Sequence, residues 1–148
     1  MARFTLERAR DINGMEADVA SAPREQHAEI ELVLRAPADA ASLAVVRHSV
    51  GATAAALGFD AARVADVRLA LTEAMTAAIR RAVAGEMLEV RAVVAGGALR
   101  VAVRDKGGSM RINDDLPLPL VAALSDAVEV SHLDGGGTEV AVSFGLSR

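Results

Sequence analysis

The chemistry open to this 148-residue sequence is bounded first by what it lacks. It has no Cys, which excludes thiol nucleophiles, disulfides and Cys-based zinc sites. His27, His48 and His132 stand far apart and show no metal-ligand spacing. Ser42, Ser49, Ser109 and Ser125 lack the turn context of an activated serine. What remains is two carboxylates and a threonine in structured settings. Glu73 lies in the run Asp66-Val67-Arg68-Leu69-Ala70-Leu71-Thr72-Glu73-Ala74-Met75-Thr76-Ala77, in which residues 73 and 77 share one helix face. Asp105 follows the apolar run Val101-Ala102-Val103-Arg104 and precedes Lys106-Gly107-Gly108-Ser109. Thr138 follows Gly135-Gly136-Gly137. Each has a plain structural reading as well: a solvated helix residue for Glu73, and turns for the other two.

The elements that would position these groups read clearly. Residues 28–35 alternate Ile30, Leu32 and Leu34 against Glu29, Glu31 and Arg35, the pattern of a half-buried strand that Pro37 ends. Asp39 caps a first helix with Leu43, Val46, Val50, Ala54 and Leu57 on one stripe, and Gly58 stops it. Asp60 caps a longer helix whose core stripe is Val64, Val67, Leu71, Met75, Ile79 and Ala82, closed by Gly85. Residues 87–94 and 98–103 form a hairpin across Gly96-Gly97. A loop over 105–115 leads to a short helix over 118–124, opened by Pro117 and Pro119. A second hairpin joins 127–132 to 138–144 across Asp134-Gly135-Gly136-Gly137. This order predicts an α+β sandwich: one mixed sheet with helices on one face.

Composition sets the broad class. Hydrophobic residues make up 52% and charged residues 24%, which argues for a packed domain over a disordered chain. A net charge of −4 argues against nucleic acid as the main ligand. The longest apolar region, 42–59, is interrupted by Arg47, His48 and Gly51, so no membrane span is expected. The expectation is a cytoplasmic protein with a charged arm over 1–27 and one domain over 28–148.

The second helix, the strand-then-Asp105-x-Gly107 turn and the closing Gly-Gly-Gly-Thr-Glu-Val together resemble the GHKL ATPase superfamily. The nearer resemblance is to its anti-sigma serine kinases of the RsbW and SpoIIAB type, over about residues 28–146. It implies a two-layer α/β sandwich of the histidine-kinase-like ATPase fold. It implies that Glu73 corresponds to the catalytic carboxylate, that Asp105, Gly107 and Thr138 line an ATP or ADP site, and that Arg47 lies on a partner-binding face. The implied partners are a sigma factor and a STAS-domain anti-anti-sigma protein, and a homodimer is implied too.

Three departures bear on activity. The family's Mg²⁺-binding Asn is Ala77 here, which has no oxygen to give the ion. Aligning Leu120-Val121-Ala122-Ala123-Leu124-Ser125-Asp126 with the family's lid helix puts Asp115 and Pro117 on its two phosphate-cradling glycines. The family His is Arg81, a retained cation, and Arg68, Arg80 and Arg81 read as a solvated helix face. Two functions follow as expectations. One is a regulator that binds its partner without ATP turnover, and the other is an active kinase that phosphorylates a STAS-domain antagonist.

Overall fold

Two aspartates open the long helices. Asp39 holds extended backbone (φ −142°, ψ 169°) and its carboxylate accepts the Ser42 amide at 2.8 Å, starting α1 (Ala40–Ala56). Asp60 accepts the Arg63 amide at 2.8 Å and starts α2 (Ala61–Arg81). Each cap satisfies an amide that a helix start leaves without an internal acceptor. Gly58 then takes φ +91°, the left-handed stop that both sequence position and residue type predict.

The computed structural model describes residues 30–107, 110–111 and 113–146. The arm expected over 1–27 lies outside the described residues. Around the helices run β1 (Ile30–Pro37), β2 (Met87–Ala95), β3 (Ala98–Asp105), a short α3 (Leu118–Leu124), β4 (Ala127–His132) and β5 (Thr138–Gly145). They form one five-stranded sheet in the order β1-β2-β3-β5-β4. The α+β class is as expected, but every neighbouring pair is antiparallel, so the expected mixed sheet is corrected. The reason is the helix pair: α1 and α2 run out and back, returning the chain to the sheet end it left. There the Ala38 amide donates to the Glu86 carbonyl at 3.1 Å, and β2 starts back beside β1. β3 and β4 do run the same way, but β5 lies between them.

Alternation decides the faces. Leu88, Val90, Leu99, Val101, Val103, Val140, Val142 and Phe144 are buried against the helices, where Val64, Val67, Leu71 and Met75 of α2 meet them as predicted. The helix buries more than that stripe, because Ala70, Ala74, Ala77 and Ala78 are also within the core. The opposite sheet face carries ion pairs, Arg91 with Glu31 at 3.2 Å, Arg35 with Glu89 at 3.3 Å and Arg100 with Glu139 at 3.3 Å. Among the described residues no helix is long and apolar enough to cross a membrane.

One buried cation ties the layers together. Arg63, near the start of α2, donates to the Leu124 carbonyl at 3.0 Å and to the Asp126 carboxylate at 2.8 Å. Its guanidinium also lies 5.1 Å above the Phe144 ring centroid. Arg63→Met is expected to cost about 2–3 kcal/mol in urea unfolding, because it removes the cation from the partly buried Asp126 carboxylate and the donor from the Leu124 carbonyl. Arg35→Ala, which removes an exposed sheet-face pair, is expected to change stability by less than about 0.5 kcal/mol.

Candidate functional site

The alternation that buries Val101 and Val103 of β3 carries Asp105 onto the same inward face, where it is 3% exposed. A carboxylate there needs charged or hydrogen-bonding partners. Its Oδ2 accepts from Nη2 of Arg81, the last residue of α2, and its Oδ1 accepts the Gly107 amide at 2.9 Å. The Arg81 side chain is itself nine-tenths buried. This corrects the solvated reading of Arg81: the final turn of α2 lies over the exit of β3, so the side chain points inward. Burial pushes the Asp105 carboxyl above its ordinary pKa, opposed by the Arg81 charge and the Gly107 amide.

Glycines allow this crossing. A Cβ on Gly107 would stand 2.8 Å from the Arg81 carbonyl oxygen. Gly137 has φ +97°, and a Cβ there would overlap the Asp105 carbonyl. Thr138 pairs directly with Asp105 across the β3–β5 ladder and is fully buried. Its Oγ1, with Nε and Nη1 of Arg81, has no hydrogen-bond partner among the described residues. Glu86, also buried, accepts the Val83 amide at 3.0 Å and the Lys106 amide. It faces Asp105 closely enough to oppose its ionisation. Sequence reasoning missed Glu86, because a carboxylate in the loop Ala82-Val83-Ala84-Gly85 carries no sign of burial.

The structure therefore gathers Asp105, Gly107 and Thr138 around Arg81. Glu73 is half-buried on α2, eight residues before Arg81 and so about 12 Å along the helix axis. It makes no ion pair among the described residues. Arg47 is exposed on α1, on another part of the surface. Ala77, one turn beyond Glu73, is 0% exposed and packs in the core. Among the described residues no three His, Asp or Glu side chains gather to hold a metal ion.

These residues do not fit a Mg²⁺-nucleotide. Ala77 offers the ion no oxygen. Asp105 is already engaged by Arg81. At the entry to α3, Pro117 stands at the N-cap with no side-chain cap bond and has no amide hydrogen. Asp115, which the resemblance aligns with a phosphate-cradling glycine, instead accepts the Arg111 amide at 2.7 Å.

Comparison with known proteins gives a consistent result. The sequence pattern of the histidine kinase-like ATPase domain family matches residues 36–144. A search of curated proteins returned no match. Among solved structures, the chain is similar to the RsbU and RsbW domains of Rv1364c from Mycobacterium tuberculosis, at 26% identity and a TM-score of 0.66. That likeness covers 80% of this chain and 33% of the other, so this chain spans about a third of the solved one.

Arg81→Met leaves Asp105 buried without its cation and is expected to cost about 3–5 kcal/mol at pH 7. The sign of its pH dependence follows from Asp105. A carboxyl whose folded-state pKa is raised favours the folded state more as pH falls, since protonation removes the buried charge. The gap between Arg81→Met and wild type should therefore narrow in urea titrations taken from pH 7 to pH 5.

Proposed function

Because the chain belongs to the histidine kinase-like ATPase domain family, in its RsbW-like branch, we propose that it is an anti-sigma-type regulator. On this reading it controls transcription by partner switching, holding a sigma factor or a STAS-domain antagonist without ATP turnover. The observation that carries the loss of turnover is Ala77, a core methyl where the resemblance requires a Mg²⁺ ligand. Phosphoryl transfer depends on positioning and on metal neutralisation of charge, so a site without its ligand loses most of its rate.

The partner-binding half of the reading is supported by α1. Arg47 is exposed there, and one turn later Gly51 leaves space that Arg68 of α2 fills with its side chain. Neither arginine has an acidic residue three or four positions away, and neither forms an ion pair among the described residues. Arg35, Arg63, Arg81, Arg91, Arg100, Arg104 and Arg111 are all paired with carboxylates. Two unpaired guanidinium groups on the helical layer, one from each long helix, suit the carboxylates of a protein partner. The solved chain that joins RsbU and RsbW domains supports the same pathway.

Calorimetry with ATP and ADP, with and without Mg²⁺, tests the nucleotide half. No Mg²⁺-dependent heat is expected at micromolar nucleotide, and micromolar Mg²⁺-dependent affinity would overturn the reading. For the partner half, the sigma factors and STAS-domain proteins of the source genome are titrated against the chain. Glu73→Ala should bind the partner as wild type does, whereas Arg47→Glu should weaken binding by about tenfold. Phosphotransfer to a STAS protein by wild type, lost in Glu73→Ala, would favour the kinase instead.

A further inference from the structure

We infer that Arg81 is an internal occupant of the Asp105 pocket: its guanidinium fills the place of a nucleobase amino group and keeps the pocket closed to adenine compounds. The inference rests on the family reading for the role of Asp105, since the resemblance implies that the Asp of the Asp-x-Gly turn accepts the adenine amino group, and on this structure for the occupant. Asp105 presents one carboxylate oxygen to the Gly107 amide and the other to Arg81 Nη2. Both oxygens are thus engaged within the chain, and the Arg81 and Asp105 side chains are 9% and 2% exposed.

An adenine amino group is a neutral donor, and Arg81 is a charged one. Charge-assisted hydrogen bonds are about twice as strong as neutral ones. Arg81 is also covalently held at the site, whereas a free ligand loses translational and rotational freedom on binding. Displacing Arg81 would leave the buried Asp105 carboxylate beside Glu86 without its cation, a penalty of roughly two to three decades in affinity. Unpartnered polar atoms also lie at this contact. Thr138 Oγ1 is fully buried beside the pair with no partner among the described residues, and Arg81 Nε and Nη1 are likewise unmatched.

The test uses the full chain and adenosine, which needs no phosphate cradle or metal. Binding is followed by calorimetry and by ¹H–¹⁵N chemical-shift changes, with guanosine as the control base. Wild type is expected to bind neither. Arg81→Ala is expected to gain about a hundredfold in adenosine affinity over wild type, with shifts at Gly107 and Thr138 and no matching gain for guanosine. The double variant Arg81→Ala/Asp105→Ala, which opens the same space without the acceptor, should lose that gain. Arg81→Gln keeps a neutral donor for Asp105 and covers the case in which the Ala variant does not fold, with a gain of about tenfold expected. Equal adenosine binding by wild type and the variants overturns the inference. So does the absence of a gain in folded Arg81→Ala or Arg81→Gln, or a gain that survives loss of Asp105. A failure of the variants to bind adenosine leaves the partner-switching reading untouched, whereas micromolar Mg²⁺-ATP binding by wild type removes both.

Discussion

A carboxylate buried at the end of a central strand must be matched by a cation, and the pairing of Asp105 with Arg81 meets that constraint. The strand alternation that places Val101 and Val103 in the core also turns Asp105 inward. The last turn of α2 has to reach over that end of the sheet to supply Arg81. The close approach this requires explains Gly107, seated on the Arg81 carbonyl, and Gly137, seated on that of Asp105. Two glycines, one buried ion pair and the ends of three elements therefore form a single unit. Loss of any member leaves either a clash or a buried charge.

The arginines divide into three kinds by what they meet. Arg63 and Arg81 are buried near opposite ends of α2 and tie the helix to β4–β5 and to β3 respectively. Those on the open sheet face pair with glutamates across strands, where solvent keeps most of their energy small. Arg47 and Arg68 project from the helical layer without a carboxylate among the described residues. In a chain of net charge −4, they leave exposed positive charge on the helical layer. Fold and partner surface are thus carried by the same residue type in different surroundings.

The residues that the resemblance assigns to a nucleotide site depart from the family pattern at one end and are engaged within the chain at the other. At the phosphate end the changes are in residue type: Ala77 has no ligand atom, and Pro117 has no amide hydrogen. At the other end the residue types persist, and Asp105 is paired with Arg81. The fold needs none of this chemistry. Its stability comes from the sheet and the buried face of α2, which explains how the architecture persists while the site diverges.

The helices, hairpins and caps were legible because their causes are local. Asp39 and Asp60 bond amides three residues away, Gly96-Gly97 turns a hairpin, and the spacing of Val64, Val67, Leu71 and Met75 marks the buried stripe. The family was legible for a related reason, since short motifs at Glu73, Asp105 and Thr138 keep their spacing along the chain. The antiparallel order of the sheet was not, because it depends on two helices returning the chain to one end. Nor were the roles of Arg81, Glu86 and Arg63, whose partners lie 24, 20 and 63 residues away. Sequence by itself determined the elements and the residue types at the motif positions, Ala77 among them, which depend on residue type and near neighbours. Only the tertiary structure decided that Asp105 is already engaged, because that depends on which distant cation the packing of α2 brings over the end of β3.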